Sequence, residues 1–411
     1  MTDNLLKTAT KISYVSLATI PLFKENINSA LIILCVFFII LNIIKSKSLQ
    51  PFKKEYWILT SMFWIFLIHE TISFDFNFDR VLRNLPFLIF PLLFIYRPYY
   101  IDEKIKEKSL LTFQLSVLLQ CFIYLLLFLN KFSINKLFYV SPENIPFFRE
   151  YVSLNYIFEI HPTYFSSFLL VSYTISTYYL LFNKFKKSWF SIINTLLMVF
   201  FILLFSSKIV LIILFMTIII SITYYIVSIK SKKRSIIILI SSFFLLISLI
   251  YPFRDILKER FDEVRTEINK PIVGSYYNST NTRVAILKCS MILLKQVPLW
   301  GFGDSLQERL NDCYGTTNDS DFYKISTFNT HNYYINIVLY GGWISLVVFL
   351  IFIFILFRKL KFSILGIILL IQFLAINLTE NYFSRHYGVV LFTFFTSLFV
   401  FIHEKDEKLH T

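Results

Sequence analysis

The chain has 411 residues, of which 56% are hydrophobic and 19% are aromatic. Its mean hydropathy is +0.64, which excludes an ordinary soluble domain and is typical of a polytopic membrane protein. The formal net charge is +14. Because most cations fall in loops on one predicted side of a membrane, we attribute this charge to topology and predict no binding of nucleic acid.

Apolar runs long enough to cross a bilayer core of about 30 Å recur along the chain. They predict an all-α fold with about twelve transmembrane helices. The first run is the weakest, because it is short and contains Ser13, Ser16 and Thr19. The predicted segments are 11–23, 27–44, 56–74, 85–100, 109–130, 162–183, 189–206, 209–229, 235–252, 332–357, 362–379 and 386–403.

With the N-terminus placed in the cytoplasm, the inner segments hold 22 of the 40 Lys and Arg residues. The short outer loops hold 8, and the remaining ten lie in one long outer loop at 253–330. Excess Lys and Arg mark cytoplasmic loops. We therefore predict transmembrane helices 1–9 in 1–252, the large outer loop in 253–330, and helices 10–12 with a cytoplasmic tail in 331–411.

Two amphipathic helices are predicted in the long loop, at 254–270 and 281–296, each ended by a proline. Their predicted apolar faces carry Leu257, Phe261, Val264 and Ile268 in the first helix and Val284, Leu287, Met291 and Leu294 in the second. Glycines at 301 and 303 predict a turn, and the polar stretch that follows is expected to be irregular.

Four cysteines are present. Cys35 and Cys121 fall in apolar runs, where we expect them to be packing residues. Cys289 and Cys313 fall in the long loop, where an oxidising compartment would permit a disulfide, although the sequence leaves this pairing open. Motifs with metal-ligand spacing are absent from the sequence, and we expect no metal and no cofactor.

Several cations stand on the predicted outer side against the topological trend. A cation held at a membrane boundary usually has an anionic partner, so we expect these residues to contact a phosphate-bearing substrate. Lipid headgroups or solvent remain alternatives for each of them. The residues are Arg80, Arg83, Lys208, Arg283 and Arg385, with His161 and His331 beside them.

His331 and Asn332 stand where the long loop re-enters the membrane. An imidazole can accept a proton from a sugar hydroxyl, and Asn332 could orient the ring. The alternative is an interfacial belt that anchors the end of the helix. In the last outer turn, Glu380 could bind sugar hydroxyls, orient the histidine or pair with Arg385. His161 precedes Pro162, so it could simply be a polar cap.

Together these pieces resemble the O-antigen ligase and polymerase superfamily of bacterial envelope enzymes. The strongest match is Thr282-Arg283, then Pro298-Leu299-Trp300-Gly301-Phe302-Gly303, then His331-Asn332-Tyr333-Tyr334 and Gly341-Gly342. Weaker matches are Ser206-Ser207-Lys208, where the family usually has Ser-Arg, and Leu378-Thr379-Glu380-Asn381. The lysine at 208 loses the two-pronged geometry of an arginine.

The resemblance implies a GT-C-like enzyme in the bacterial inner membrane with its site facing the periplasm. It implies transfer of an undecaprenyl-pyrophosphate-linked glycan to an acceptor hydroxyl without a metal. In that scheme Arg283 and Lys208, with Arg80 and Arg83, hold the pyrophosphate, and His331 activates the acceptor. The residues expected to support them are Asn332, Glu380, Arg385 and His161.

Three functions remain open from the sequence. A ligase would place the finished glycan on a lipid A-core sugar, and a polymerase would join repeat units to one another. A transporter would move a lipid-linked substrate without chemistry, but its polar residues would gather near the middle of the membrane. A single large outer loop between the ninth and tenth spans favours the ligase layout.

Overall fold

The computed structural model describes residues 2–46, 53–72, 76–140, 145–154, 160–182, 188–228, 248, 250–270, 272, 279–318, 320–325 and 327–402. These residues form α-helices and short 3₁₀ helices, and no β-strand occurs among them. The all-α prediction is therefore confirmed for the part of the chain that is described. The predicted ninth segment, 235–252, falls mostly outside it.

The helices follow one another with short connections. In chain order they are α1 (Asp3–Ser16), α2 (Glu25–Ser46), α3 (Lys54–Leu59), α4 (Ser61–Ile72), α5 (Phe78–Asn84), α6 (Pro86–Ile95), α7 (Glu103–Leu129), α8 (Phe147–Leu154), α9 (Pro162–Leu181), α10 (Ser188–Phe205), α11 (Lys208–Ser228), α12 (Arg254–Glu267), α13 (Ser279–Leu294), α14 (Leu306–Thr317), α15 (Asp321–Ile325), α16 (Tyr333–Leu360), α17 (Ile364–Ile376) and α18 (His386–Phe401). The 3₁₀ helices are Leu17–Leu22, Ile134–Phe138, Tyr251–Phe253, Gly303–Ser305 and Tyr382–Ser384.

The chain divides into two compact units. The first comprises Met1–Leu17, Ser29–Glu107 and Arg265–Thr411, and the second comprises Ala18–Asn28 and Lys108–Val264. The first unit therefore contains α4 to α6, α13 to α18 and the motif from Arg283 to Gly342. The second contains α8 to α11, most of α7 and most of α12.

Each unit has its own core. In the first, α6 packs on α18 through aromatic rings, with Phe392 centred 6.1 Å from Phe87 and 4.3 Å from Phe383. In the second, buried polar side chains join α7, α9 and α10: the Gln114 and Asn194 amides each donate to Ser176 Oγ at 2.6 Å. Such interhelical hydrogen bonds hold apolar helices together where hydrophobic burial gives little specificity.

Three described helices are long and apolar enough to cross a membrane: α2, α7 and α16. Shorter apolar helices are Ser61–Ile72, Trp189–Phe205, Lys208–Tyr224, Ile364–Ile376 and His386–Phe401. The predicted span 56–74 is interrupted at Thr60, where α3 ends and α4 begins. The apolar runs thus form helices, and the number of twelve spans stays a prediction.

Both predicted loop helices exist, but neither buries the predicted face within the protein. In α12, Phe261 is 72% exposed, while Arg260 and Glu263 are 8% exposed. In α13, Leu287 is 51% exposed, and the buried side carries Ala285, Ile286, Cys289 and Leu293. The apolar rows are therefore not the sides of these helices that face inward. Ion pairs determine which side of α12 faces inward. A core centred on Cys289 determines it for α13.

The stretch after Gly303 is helical rather than irregular, which corrects the prediction for this part of the loop. The helices α14 and α15 pack on α13 and on the side of α16. Their buried residues Leu306, Leu310, Cys313 and Tyr314 have the spacing of one helical face. The loop therefore has a small core of its own.

Candidate functional site

One carboxylate joins the two residues that the sequence assigned to chemistry. Arg283 Nη2 donates to Glu380 Oε1 at 2.6 Å, and His331 Nδ1 lies 3.4 Å from Glu380 Oε2. The Glu380 side chain is 9% exposed, whereas those of Arg283 and His331 are 36% and 30% exposed. A buried carboxylate thus holds two basic groups that remain accessible.

The backbone places His331 in a strained position. Its φ is +43°, a left-handed conformation that residues other than glycine seldom adopt. The His331 N–H donates to Asn329 Oδ1 at 2.9 Å, which supports this conformation. Such strain persists where the surrounding structure fixes the residue, and it is frequent at functional sites.

The last outer turn, 378–381, is bound to the start of α16. Asn332 caps α16 by accepting from the Ile335 N–H at 3.0 Å, and its Nδ2 donates to the Leu378 carbonyl at 2.9 Å. Thr330 Oγ1 donates to Asn381 Oδ1 at 3.0 Å. These bonds fix the turn that carries Glu380 against the segment that carries His331.

This geometry has a direct chemical consequence. His331 Nδ1 is buried and lies at ion-pair distance from Glu380, rather than in hydrogen-bond geometry. The other ring nitrogen, Nε2, is left for a substrate. A carboxylate on one side of an imidazole stabilises the imidazolium that forms when the other nitrogen accepts a proton.

A second cluster in the first unit, the Glu70 network, consists of Glu70, Arg80, Asp304 and Tyr340. Arg80 pairs with Asp304, lies 3.5 Å from Glu70 Oε1 and donates to the Tyr340 hydroxyl at 3.3 Å. The Tyr340 hydroxyl donates to Glu70. Arg80 is therefore held by carboxylates, whereas the Arg83 side chain is exposed.

The glycines of the sequence motif meet backbone to backbone. Gly342, at φ +73°, interrupts the helical geometry of α16, and Gly301, at φ +80°, approaches the same point. A Cβ on Gly342 would lie 1.9 Å from the Leu299 carbonyl oxygen, and one on Gly301 would lie 2.3 Å from that of Tyr340. Only glycine fits at these two positions.

A hydrogen bond closes this contact. The Phe302 N–H donates to the Leu339 carbonyl at 2.7 Å, next to the irregular turn of α16. We call this contact, between residues 299–304 and 339–342, the glycine junction. Both glycine pairs of the motif that contains Arg283 and His331 therefore lie at this one contact.

The loop core carries the disulfide that the sequence left open. Cys289 of α13 and Cys313 of α14 are bonded, and both are buried. The Tyr323 hydroxyl donates to Asn281 Oδ1 at 2.7 Å, two residues before Arg283. Burial raises the pKa of Tyr323 and also that of Tyr314 above the ordinary value for tyrosine. The helix that presents Arg283 is thus fixed to a small covalently closed core.

Lys208 lies in the second unit. Its Nζ is 3.0 Å from Glu263 Oε1, and Arg260 Nη1 is 2.9 Å from Glu263 Oε2. Ser206 has φ +46°, and Arg149 donates to the Phe205 and Ser206 carbonyls at 3.0 and 3.4 Å. Two cations therefore share one buried carboxylate, and a third holds the turn that precedes Lys208.

The remaining predicted residues have simpler surroundings. His161 caps α9, its Nδ1 accepting from the Thr163 N–H at 3.3 Å. The Arg385 side chain is exposed at the start of α18. No group of three or more His, Cys, Asp or Glu side chains that could hold a metal occurs among the described residues.

Sequence reasoning missed several charged residues of these clusters. Glu70 lies inside an apolar run, where an ionisable residue is by default a candidate for function. Asp304 follows the second motif glycine directly. Arg260 and Glu263 have the i, i+3 spacing of one face of α12, beside its apolar row. These signals were present in the sequence, whereas Arg149 had none that distinguished it.

The chain matches a family of known proteins. Residues 193–350 match the family model described as O-Antigen ligase, a segment that contains Lys208, Arg283, the glycine junction and His331. No curated protein matches the chain. The family and the apolar helices support an integral membrane protein with a glycosyl-transfer function of the O-antigen ligase or polymerase type. The match confirms the resemblance that the motifs indicated: residues 193–350 of the chain are similar to the O-antigen ligase family.

Proposed function

We propose that this protein is an O-antigen ligase. In this proposal it transfers a glycan from undecaprenyl pyrophosphate to a hydroxyl of the lipid A-core, on the periplasmic face of the bacterial inner membrane. The observation that carries the proposal is the shared carboxylate: Glu380 holds Arg283 at 2.6 Å and lies 3.4 Å from His331. One basic group suits the departing phosphate, and the other suits the incoming hydroxyl.

His331 activates the acceptor. Its Nε2 accepts the proton of the acceptor hydroxyl while the hydroxyl oxygen forms a bond to the anomeric carbon of the donor glycan. The bond between that carbon and the pyrophosphate oxygen breaks, and the electron pair leaves with the pyrophosphate. The Glu380 carboxylate faces the imidazolium from the Nδ1 side.

Arg283 stabilises the leaving group. The guanidinium presents five N–H donors in a rigid fork, and its bond to Glu380 leaves donors that can reach phosphate oxygens. Fixed donors of this kind neutralise a developing charge without reorganising during the reaction. The proposal includes Lys208 and Arg83 as further phosphate contacts and needs no metal, whereas Arg80 is assigned to the Glu70 network.

The same site chemistry would serve a polymerase, in which the acceptor is another lipid-linked repeat unit. The single large loop at 253–330 supports the ligase. Envelope glycans from a deletion strain distinguish the two enzymes. Long lipid-linked chains without attachment to the core support the ligase, and attached single repeats support the polymerase.

Purified protein tests the proposal directly. With a lipid-pyrophosphate glycan donor and a core acceptor, we expect transfer in the presence of EDTA. His331→Ala and Arg283→Ala should lower transfer to a small residual rate while the protein stays folded and monodisperse. Arg254→Ala is the matched control, because Arg254 is an exposed loop arginine that contacts Tyr251. Full activity of His331→Ala, or strict dependence on added Mg²⁺, would contradict the mechanism.

A further inference from the structure

Glu70 is a buried carboxylate to which the transfer mechanism gives no role. It is 1% exposed and lies in α4, a helix that is otherwise almost entirely apolar. Removing a carboxylate from water is costly unless good partners replace the lost hydration. Here one oxygen accepts from Tyr340, and the other accepts from the Asn77 N–H at 3.1 Å. Such an arrangement persists where the charge has a task.

The partners of Glu70 lie on both sides of the glycine junction. Tyr340 belongs to α16, directly before Gly341 and the irregular turn at Gly342. Asp304 directly follows Gly303 and reaches the network through Arg80. The ring of His69 stacks near Tyr340 at 4.8 Å, and its Nε2 donates to the Trp300 carbonyl at 3.0 Å. The end of α4 therefore contacts both the turn at 300–304 and the kinked helix α16.

The glycine junction is connected to both reactive residues by short segments. On one side, α13 carries Arg283 and ends at Leu294, four residues before Pro298. On the other side, α16 begins two residues after His331, and Tyr340 lies about 10 Å along it at 1.5 Å per residue. A shift at the junction would therefore change the distance between Arg283 and His331.

From this geometry we infer that Glu70 is a positioning residue of the transfer reaction. Its carboxylate holds Tyr340 and Arg80, and these two residues fix the glycine junction. The junction in turn keeps Arg283 and His331 in contact with Glu380. The inference rests on the proposed function, but it assigns Glu70 no contact with either substrate. Loss of the Glu70 charge should therefore lower kcat and leave the KM for the donor nearly unchanged.

The test compares two carboxylates that both pair with α16. Glu70→Gln removes the charge next to Tyr340, and Glu55→Gln removes the partner of Lys359 near the other end of the same helix. The pair of Glu55 and Lys359 is exposed, and exposed pairs contribute little. The kcat of each variant is measured for its folded fraction. We expect that of Glu70→Gln to be about 10- to 100-fold lower than that of the wild type, because small misplacements of reacting groups cause losses of this size. Glu55→Gln should match the wild type.

Hydrogen exchange supplies a readout that does not depend on activity. In Glu70→Gln, the amides of residues 299–304 and 339–343 should exchange faster, while those of α17 and α18 keep their wild-type rates. Tyr340→Phe keeps the ring beside His69 and removes the hydroxyl, so it should accelerate exchange at the same amides. The double variant should lose less activity than the product of the two single losses, because both act through one junction.

Unchanged exchange at the junction, or a kcat equal to that of Glu55→Gln, would overturn the inference. A rise in KM with kcat unchanged would also overturn it, because this result would place Glu70 in substrate binding. A wild-type protein that performs no transfer would overturn the proposed function instead. The exchange experiment would then still decide whether Glu70 holds the glycine junction.

Discussion

Arg283 in the first unit and Lys208 in the second are both assigned to phosphate, and each is paired with a buried carboxylate. The two carboxylates differ in what else they hold. Glu380 lies between Arg283 and His331, a group that can gain and lose a proton. Glu263 lies between Lys208 and Arg260, two groups that stay charged.

This difference separates a carboxylate that takes part in chemistry from one that balances charge. Removing the Glu380 charge takes away the partner of the imidazolium that forms on His331 during the proposed transfer. Removing the Glu263 charge leaves the buried Arg260 and the partly buried Lys208 beside each other, which costs folding stability more directly than catalysis. Substitutions of the corresponding residues in the two regions test whether this distinction holds.

The largest expected effect is that of Glu380→Gln. It should lower kcat about 100-fold or more, since the amide cannot stabilise the imidazolium, and fixed electrostatic groups contribute effects of this size. Glu263→Gln is the matched variant, and it should lower the midpoint of thermal unfolding more than it lowers kcat. Transfer rates and unfolding curves of the same preparations provide the measurement. Equal losses of kcat in the two variants would break the distinction.

The next effect concerns which cation each site requires. Arg283→Lys should lower kcat/KM about 10- to 100-fold, because a lysine ammonium lacks the rigid planar fork that matches two phosphate oxygens. Lys208→Arg should be tolerated, with kcat/KM within about threefold of the wild type, because the added fork matches phosphate geometry. Steady-state kinetics with the lipid-linked donor measure both. An active Arg283→Lys variant would show that Arg283 acts only through its charge.

The sequence predicted the members of the Glu380 site, and it predicted that Glu380 could orient the histidine, but it did not predict the pair of Arg283 with Glu380. His331, Arg283 and Glu380 were each identified from residue type, motif and position. The partners Arg283 and Glu380 are 97 residues apart, and such contacts do not follow from local periodicity. The disulfide between Cys289 and Cys313 depends on helix packing in the same way.

The sequence predicted the two loop helices but not which of their sides face inward. Both helices carry apolar residues on more than one side. In α12 the inward side is the one that can form ion pairs with Lys208. In α14 the spacing of Leu306, Leu310 and Tyr314 was a usable signal that polar neighbours obscured.

A smaller effect should follow from opening the disulfide. The covalent link ties the helix of Arg283 to α14, and closing a loop of this length stabilises a protein by about 3 kcal/mol. The double variant Cys289→Ser, Cys313→Ser should therefore unfold at a lower temperature and lose activity severalfold. The loss of activity would follow from a less constrained Arg283.

Thiol counting checks the premise of this prediction. Under denaturing conditions without reductant, the wild type should react at two cysteines, Cys35 and Cys121, and after reduction at all four. Four reactive thiols without reductant would remove the disulfide from the protein as isolated. Reductant should not change the activity of the double variant.

The smallest effect is expected from high pH. Burial raises the pKa of Tyr314 and Tyr323 above that of an unfolded tyrosine, so the folded loop favours the neutral phenols. Their contribution to stability is fully present below pH about 10 and is lost as the pH rises through the folded pKa values. In a titration followed by phenolate absorbance, Tyr314→Phe and Tyr323→Phe should each remove one tyrosine that ionises late. Ionisation of all tyrosines in a single early step would contradict the burial.

The central claim is that Glu380 acts through His331, and a double-mutant cycle in kcat tests it most directly. The four proteins are the wild type, Glu380→Gln, His331→Ala and the double variant, each measured with the same donor and acceptor. If the two residues act as a unit, Glu380→Gln should cost about 100-fold in the wild type and less than about threefold once His331 is absent. A full 100-fold loss from Glu380→Gln in the His331→Ala background would show that the two residues act independently and would contradict the claim.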